Sequence, residues 1–402
     1  MIEGLQPLRI AHVITRLING GADENTVISC NHAVRSGHDV ILVHGAQTQP
    51  EILATVDARV KILELPSLMH PIAPLADVKA LGDLVRIFRR LRPNVVHTHT
   101  SKAGILGRLA ARAARVPVVV HGVHIVPFVN VGRLETFAYL TAERAVQGMT
   151  HAFIDVSPGM RDLCVEAGVG TPKRHHVVPS GFDLSRFRAA RQPEDWRDLL
   201  GLAPDDPTPP VVVMLAVLEA RKRHLELLER LPRIAARFPE VRFVLAGDGK
   251  LRNAIDARVK TLGIERNVVL TGFHHHPEQL IALADICLLA SAREGLPRVL
   301  MQYLAVGKPV VASDLPCIDD VLHHDVNGLV AGSDDLDGLA DAVISLLEDD
   351  ARRARLARGA ATTELSEWDA ARMGERIEAV YADVIRERVG QRLPRTREAV
   401  TS

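Results

Sequence analysis

Short runs of apolar and β-branched residues alternate with stretches of helical periodicity along almost the entire chain. This alternation predicts βα units, in which crossover helices join the strands of a parallel sheet. In the first half, strands are predicted at 9–15, 39–44, 94–97, 116–121, 151–156 and 176–178. The helical patterns between them include 75–91, 103–114 and 133–147.

The character of the chain changes between Arg188 and Pro210, where charged residues, Pro and Gly accumulate. Such clusters of turn-forming residues are typical of loops and linkers. A second series of strands is predicted beyond this segment at 211–218, 241–246, 267–270, 285–290 and 309–312. Each of these strands precedes a helical pattern, so the second half repeats the architecture of the first without repeating its sequence.

The composition narrows the class of protein. With 47% hydrophobic and 24% charged residues, the chain resembles ordinary globular proteins. Its 49 basic and 49 acidic residues cancel, so no overall field favours a nucleic-acid partner. The four cysteines are far apart and predict no disulfide framework. Because the sequence shows no signal peptide and no run of about 18 apolar residues, we expect a cytoplasmic protein without membrane-spanning helices.

The turn formed by Glu294, Gly295, Leu296 and Pro297 follows the apolar run 285–290 after three intervening residues. A strand that turns into a helix at this point presents free backbone N–H groups and the positive end of the helix dipole, which bind anions such as a pyrophosphate. The Glu294 carboxylate accepts hydrogen bonds from hydroxyl groups. Nucleotide-sugars require both functions, although an ordinary turn with an exposed Glu is the simpler alternative for this motif alone.

The segment from Asp285 to Asp314 resembles the donor-sugar motif of the retaining glycosyltransferases of family 4. The resemblance covers nearly the whole chain, in the family's order and spacing. It extends through Gly20-Gly21, His97-Thr98-His99, Pro179-Ser180-Gly181-Phe182-Asp183, Lys222 and Gly247-Asp248-Gly249. It implies the GT-B fold, in which two Rossmann-like domains face each other across a cleft and the last helix crosses back to the first domain.

The resemblance, together with the linker, gives domain boundaries. We expect an N-terminal acceptor-binding domain at 1–188, a linker at 189–210, a C-terminal nucleotide-sugar-binding domain at 211–365, a returning helix at 366–390 and a polar tail at 391–402. In such open sheets, ligands bind beyond the carboxyl ends of the strands.

In the first domain, the resemblance implies that Gly20 and Gly21 lie near the donor phosphates and that the imidazole of His124 lies near the reacting sugar. Ile125 stands where the family usually has Gly after this His. His99, Ser101 and Lys102 leave a predicted strand and enter a helix, with Ser101 as its expected N-cap. We expect these three residues to reach the acceptor; solvated loop residues are the alternative.

In the second domain, the resemblance implies that Lys222 neutralises the leaving diphosphate and that Glu294 holds the sugar ring. The other expected donor contacts are Gly247, Gly295, Leu296 and Pro297. The chain departs from the family at Val217, where an Arg is usual, so Arg221 or Arg223 is expected to supply the second positive charge.

A second departure is Gln302, which replaces the Glu that ordinarily accepts hydrogen bonds from the nucleotide ribose. A neutral amide is a weaker acceptor than a carboxylate, which would reduce donor affinity or favour a different nucleotide.

Two features point to other partners. The runs His274–His276 and His323–His324 suggest a metal, but adjacent histidines project in different directions and the family is metal-independent, so we expect no metal and no cofactor. The helical pattern at 75–91 is basic and amphipathic, which is typical of a surface helix packed on a core; contact with the inner face of a membrane is the alternative.

The resulting expectation is a retaining hexosyltransferase that uses a UDP-sugar, with a GDP-sugar as the alternative donor. It would act on a saccharide or lipid-linked hydroxyl acceptor in surface polysaccharide, lipopolysaccharide or glycolipid synthesis. A non-catalytic nucleotide-sugar-binding relative and a nucleotide-sugar epimerase are the competing hypotheses.

Overall fold

The computed structural model describes residues 6–18, 21–70, 72–126, 128, 132–294, 297–315, 318–319 and 321–392, with residues 389–392 described as backbone. The chain divides into two compact units. The first comprises Met1–Phe182 together with Glu367–Ser402, and the second comprises Asp183–Ser366.

The first unit is built on a sheet with seven strands in its described residues, in the order β3-β2-β1-β4-β5-β6-β7. All neighbouring strands are parallel. The strands are β1 (Arg9–Ile14), β2 (Asp39–His44), β3 (Lys61–Glu64), β4 (Val95–His99), β5 (Val118–Val123), β6 (Ala152–Asp155) and β7 (His175–Val177). The helices before the second unit are α1 (Gly21–Arg35), α2 (Pro50–Leu53), α3 (Pro74–Leu91), α4 (Ser101–Ala113), α5 (Arg133–Val146) and α6 (Pro158–Glu166).

The second unit begins with α7 (Leu184–Arg188) and α8 (Trp196–Leu199) and has its own parallel sheet. Its described strands follow the order β10-β9-β8-β11-β12-β13. They are β8 (Val211–Leu215), β9 (Arg242–Ala246), β10 (Val268–Gly272), β11 (Ile286–Leu289), β12 (Val310–Ser313) and β13 (Gly328–Ala331). The helices among them are α9 (His224–Leu228), α10 (Leu231–Arg237), α11 (Arg252–Leu262), α12 (Pro277–Leu283), α13 (Arg298–Val306), α14 (Leu336–Glu348) and α15 (Asp350–Ala361).

The last helix, α16 (Ala370–Arg392), returns to the first unit, as the resemblance implied. It packs against α1, β5 and β6. Its apolar face contributes Met373, Ile377, Val380, Tyr381 and Val384 to the same buried cluster as Ile10 and Ile14 of β1. This burial explains why the chain recrosses to the first unit, since the helix covers one face of that sheet.

The described part of the chain contains no helix that combines the length and apolar character needed to cross a lipid bilayer. The three cysteines in the described residues, Cys30, Cys164 and Cys287, are buried, and none of them forms a disulfide with another. Burial raises the pKa of the Cys164 thiol to about 12. These thiols are therefore inert core residues at neutral pH.

Candidate functional site

The strand order of the second unit creates a switch point between β8 and β11. From β8 the chain continues to β9 and β10 on one side of the sheet, whereas β11, β12 and β13 extend on the other. In open parallel sheets, ligands bind at such a point, beyond the carboxyl ends of the strands. The segment after β8 carries Lys222, and the segment after β11 carries Glu294.

These two segments meet in a compact charged cluster, which we call the Glu294 cluster: Lys222, Arg221, Ser291 and Glu294. Lys222 donates a hydrogen bond to Oε1 of Glu294, and Ser291 donates to the same oxygen at 2.7 Å. Arg221 Nη1 donates to Oε2 at 3.0 Å. The backbone joins the same segments, because the Ala292 N–H donates to the Arg221 carbonyl at 2.9 Å.

The cluster is largely buried on its Lys222 side and open on its Arg221 side. The side chains of Lys222 and Glu294 are 10% and 9% exposed, whereas that of Arg221 is 43% exposed. Burial lowers the pKa of Lys222, and the neighbouring Glu294 carboxylate opposes that shift. Because an ionised carboxylate offers about four acceptor positions, Glu294 retains capacity for a ligand hydroxyl after accepting three bonds.

Arg223 is held differently from Arg221. It donates to Glu226 at 2.7 Å and to the Ser333 carbonyl at 2.8 Å, and its side chain is only 11% exposed. Arg221 contacts Glu294 directly. It is therefore better placed than Arg223 to supply the positive charge that is missing at Val217, where the family usually has Arg. Val217 itself is 37% exposed.

Gly247 lies in the loop after β9, which packs closely against the loop after β8. Its φ is 146°, and a Cβ at this position would lie 2.0 Å from the Ala216 carbonyl oxygen. Only Gly fits where the loops after β8 and β9 pack together. This packing accounts for Gly247 without a contact to the donor.

The expected donor contacts around α13 are only in part described. Pro297 is the N-cap of α13, and Arg298 is its first residue. The helix therefore begins directly after the turn that contains Glu294. Gln302 is half-buried within α13. Gly295 and Leu296 lie outside the described residues.

In the first unit, Gly21 is the exposed first residue of α1, and Gly20 lies outside the described residues. The first turn of α1 carries the acidic residues Asp23 and Glu24. Asp23 accepts a hydrogen bond from the Ile18 N–H at 2.8 Å. Two carboxylates offset the positive end of the helix dipole, which weakens the case for a phosphate at Gly21.

The three residues expected at the acceptor differ in their surroundings. Ser101 is the first residue of α4 and not its N-cap; the N-cap is Thr100, whose φ of 63° is unusual for a β-branched residue. Lys102 forms an ion pair with Asp77 Oδ1 at 2.5 Å. His99 is 1% exposed, so it is a core residue and not a solvated loop residue.

A small pocket opens at the carboxyl ends of β4 and β5 in the first unit. Among its described lining residues are Ser101, His121, Val123, Ile125 and Phe128. The described lining includes neither His99 nor Lys102. Of the three expected acceptor residues, Ser101 therefore lines this pocket.

His124 follows β5 and is half-buried. Its Nε2 lies 2.9 Å from Nδ1 of His99, and His99 Nε2 lies 3.0 Å from Nδ1 of His12. The sequence gives no motif that marks His12 or Ser291. The only available signal is position, since Ser291 lies three residues before Glu294 and His12 lies in a strand next to that of His99.

Ring nitrogens of His12, His97 and His99 lie within 4.8 Å of one another, a grouping that the sequence analysis did not anticipate. No other set of three potential ligands is found in the described residues, so neither run of adjacent histidines assembles one there. The three imidazoles include no anionic ligand, so a divalent cation among them would leave its charge uncompensated in the core. A hydrogen bond already joins two of the rings.

Comparison with known proteins identifies relatives of both units. Residues 20–181 match the family model described as "Glycosyl transferase 4-like domain", and residues 203–363 match the model described as "Glycosyl transferases group 1". The chain is 30% identical over 301 residues to the D-inositol 3-phosphate glycosyltransferase of Xylanimonas cellulosilytica, which spans 69% of each chain.

A second relative is the UDP-Gal:alpha-D-GlcNAc-diphosphoundecaprenol alpha-1,3-galactosyltransferase of Escherichia coli. It is 27% identical over 299 residues, which span 73% of this chain and 76% of the relative. Among solved structures, Anabaena HepE in complex with UDP and glucose has a TM-score of 0.76 at 20% identity and covers 94% of this chain and 100% of its own. That likeness shows a shared fold.

Proposed function

This chain belongs to the family 4 glycosyltransferases and has their GT-B fold, and from this premise we propose that it transfers a sugar from a UDP-sugar to a hydroxyl acceptor with retention of anomeric configuration. The proposed acceptor is lipid-linked, and the product belongs to surface polysaccharide or glycolipid synthesis.

The Glu294 cluster is the observation that carries this proposal. Transfer of a sugar releases a diphosphate whose negative charge develops as the glycosidic bond breaks, and fixed cations stabilise such charge most effectively in a site with little water. Lys222 is 8% exposed and Arg221 extends to the surface beside it. We assign these two side chains to the diphosphate and Glu294 to the sugar hydroxyls.

The same contacts support a mechanism without a covalent enzyme intermediate. Glu294 accepts bonds from Lys222, Arg221 and Ser291, which stabilise its negative charge and weaken it as a nucleophile. In the proposed step, the bond from the anomeric carbon to the diphosphate breaks, and the acceptor oxygen bonds to that carbon on the same face. The departing phosphate takes the acceptor proton.

Two observations support the proposed donor. The Escherichia coli relative is named for UDP-Gal, and the similar Anabaena structure contains UDP and glucose. Gln302 is the residue of this chain that affects the choice of nucleotide. Its neutral amide would contact the ribose where relatives have the carboxylate of a Glu. A GDP-sugar is the alternative donor.

A lipid-linked acceptor is supported by apolar side chains exposed at the starts of two helices of the first unit. At α3, Leu75 is 90% and Val78 is 72% exposed, and at α5, Leu134 is 82% and Phe137 is 69% exposed. The rest of α3 packs into the core through Ala80, Leu84 and Phe88, so its N-terminal end, not its whole apolar face, is free for a membrane. The Escherichia coli relative is named for a diphosphoundecaprenol acceptor.

The membrane contact is tested by sedimentation with vesicles that contain anionic lipid. Leu75→Ser combined with Phe137→Ser is expected to weaken binding at least about fivefold, because each side chain contributes apolar area to an interfacial contact. Phe273→Ser removes an aromatic residue of the second unit that is 49% exposed and serves as the matched control. Equal binding by all three proteins would contradict the contact.

A non-catalytic relative is the second candidate, because Val217 and Gln302 remove a cation and an anion that the family ordinarily has. Thermal-shift measurements with a panel of nucleotide-sugars identify the donor, since a ligand at a hundred times its Kd stabilises by about 2.7 kcal/mol. Incubation of the protein with that donor, with and without an acceptor, then distinguishes the three hypotheses. Transfer supports the proposal, stabilisation without turnover supports the non-catalytic relative, and conversion without acceptor indicates an epimerase.

A further inference from the structure

The pairing of β8 with β11 ends before either strand does. Val212 pairs with Ile286 and Val213 with Cys287, and in the described chain the register between the two strands extends no further. On its other side, β8 stays in register with β9 as far as Leu215. At the switch point of the second unit, the carboxyl end of β8 therefore follows β9 and parts from β11.

A tyrosine hydroxyl occupies the place of the next bond between these strands. If the register continued, that bond would join the Leu215 N–H to the Leu288 carbonyl, because bonds in a parallel ladder are evenly spaced. Instead, the Leu215 N–H donates to the Tyr303 hydroxyl oxygen at 2.7 Å, and this hydroxyl donates to the Leu288 carbonyl at 3.4 Å. We call these three groups the Tyr303 wedge.

The phenol suits this position because a hydroxyl can accept and donate at the same time. Tyr303 is fully buried, and burial raises its pKa well above the usual value, so the hydroxyl keeps its proton. Phe would fill the same space but would offer no acceptor to the Leu215 N–H. Since a buried N–H without an acceptor is costly, the end of β8 needs the hydroxyl and not only the ring.

Beyond the wedge, residues 216–221 form an arch, which we call the β8 arch. Its first part follows the loop after β9, where the Leu218 N–H donates to the Asp248 carbonyl at 2.9 Å. Its far end returns to the segment after β11, where the Ala292 N–H donates to the Arg221 carbonyl at 2.9 Å. The β8 arch thus begins at the Tyr303 wedge and ends at the Glu294 cluster.

The two ends of the β8 arch show what the wedge controls. The segments that leave β8 and β11 are in contact at the Glu294 cluster, but a phenol hydroxyl separates them at Leu215 and Leu288. A direct ladder bond there would bring its nitrogen and oxygen to about 2.9 Å and draw the start of the arch toward β11. Because Arg221 ends the arch and Lys222 follows it, such a shift would move both cations relative to α13.

We propose that Tyr303 is a positioning residue for the diphosphate site, because its hydroxyl sets the path of the β8 arch and so the places of Arg221 and Lys222. Tyr303 directly follows Gln302 in α13, so the helix assigned to the ribose also supports the arch. The role at the diphosphate rests on the proposed function, whereas the wedge depends only on the contacts of Tyr303.

Hydrogen exchange followed by mass spectrometry tests the wedge without any ligand. In Tyr303→Phe, the Leu215 N–H loses its acceptor, so a peptide that spans residues 211–218 should gain deuterium at least about tenfold faster at one amide. Peptides that cover β9 are the internal control, and their exchange should be unchanged. Equal exchange of the 211–218 peptide in both proteins, or an equal rise in the β9 peptides, would contradict the wedge.

Calorimetric titration with UDP and GDP tests the role at the diphosphate. Tyr303→Phe is expected to weaken binding of the preferred nucleotide at least about fivefold, because the cations no longer lie where the diphosphate needs them. Tyr381→Phe is the matched control, since Tyr381 is equally buried in the first unit and its hydroxyl lies 2.7 Å from His97 Nδ1. Both substitutions remove one buried hydroxyl, so both should lower Tm, but only Tyr303→Phe should weaken nucleotide binding.

Turnover distinguishes positioning from a general loss of structure. In Tyr303→Phe, KM for the nucleotide-sugar should rise at least about fivefold, while KM for the acceptor stays within about twofold. Unchanged nucleotide affinity in Tyr303→Phe, or an equal loss in Tyr381→Phe, would overturn the proposal. If the unmodified protein binds neither UDP nor GDP, the proposed function fails, and exchange of the 211–218 peptide still decides the wedge.

Discussion

Lys222 donates a hydrogen bond to Oε1 of Glu294, although 72 residues separate the two in the chain. The parallel pairing of β8 with β11 brings the segments that carry them to the same edge of the sheet. Each side chain offsets the charge of the other in a site where both are about nine-tenths buried. In the proposed function, a diphosphate and a sugar would therefore bind by sharing contacts that already exist between these residues.

Substitution of either residue should lower turnover and stability together. Lys222→Ala and Glu294→Ala are each expected to reduce kcat by at least about tenfold, which corresponds to about 1.4 kcal/mol of transition-state stabilisation. Glu294→Ala should also lower Tm, because it leaves a buried ammonium without its partner. Initial rates with the nucleotide-sugar identified by thermal shift measure kcat, and thermal unfolding measures Tm.

Two further variants separate these effects. Glu294→Gln keeps the shape and one acceptor while removing the charge, so it should lower kcat with a smaller loss of Tm than Glu294→Ala. Glu226→Ala removes an exposed carboxylate paired with Arg223 in the same unit and is the control. Unchanged turnover in both Lys222→Ala and Glu294→Ala would remove the role assigned to the Glu294 cluster.

Activity should survive exhaustive chelation with only a small loss. In the proposed site, positive charge comes from Lys222, Arg221 and the start of α13, and not from a divalent ion held by carboxylates. Turnover is measured after dialysis against a chelator and again after addition of magnesium or manganese. Complete inactivation that either metal reverses would show that this account of the leaving-group charge is wrong.

Gln302→Glu tests the expected ribose contact. A carboxylate strengthens hydrogen bonds to the ribose hydroxyls but repels the diphosphate, which lies farther away. We expect tighter binding of UDP by up to about 1 to 2 kcal/mol, as is typical of charge-assisted bonds. Calorimetric titration of both proteins with UDP and GDP gives the result. If the two proteins bind UDP with the same affinity, and also bind GDP with the same affinity, Gln302 lies outside the donor site.

The buried histidines of the first unit should make it sensitive to acid. His12, His97, His99 and His121 are at most 5% exposed, and burial is the main cause that lowers the pKa of each. The unfolded chain binds protons below a pH of about 6.5, whereas these folded groups stay neutral to lower pH. The free energy of unfolding therefore decreases as the pH falls below about 6.5, by up to about 1.4 kcal/mol per histidine and pH unit.

The two tryptophans allow this loss to be followed in one unit, because Trp368 lies in the first and Trp196 in the second. Urea unfolding of a Trp196→Phe protein is monitored by Trp368 fluorescence between pH of about 7.5 and 5. Adding His97→Phe should reduce the pH dependence by about one proton. An unchanged dependence would mean that His97 binds its proton in the folded protein.

The sequence predicts those strands whose residues form a continuous apolar run. β11 was recognised because Ile286–Leu289 is a continuous apolar run ahead of a strong turn signal. β3 and β13 were not predicted. β3 is a short edge strand with Lys61 and Glu64 at its ends, and β13 begins at Gly328, so neither shows the pattern of a buried strand. Edge strands depend on pairing with a neighbour more than on their own residues.

The site was predictable as separate residues but not as a cluster. Glu294 was identified from a local turn motif and Lys222 from the family resemblance, whereas their direct pairing depends on the adjacency of β8 and β11. The burial of His99 and its link to His12 likewise arise from the pairing of β1 with β4. At Gly247 the sequence alone does not distinguish a ligand contact from loop packing, since the residue type that suits a ligand also suits two closely packed loops.

The central claim is most directly tested by following the reaction by proton NMR with the stabilising UDP-sugar and a short-chain polyprenyl-diphosphate sugar acceptor. The coupling constant of the new anomeric proton reports the configuration of the product. The account predicts release of UDP and a product with the same anomeric configuration as the donor, formed at least about tenfold more slowly by Glu294→Gln. A product of inverted configuration, or no transfer by a protein that binds the donor, would contradict it.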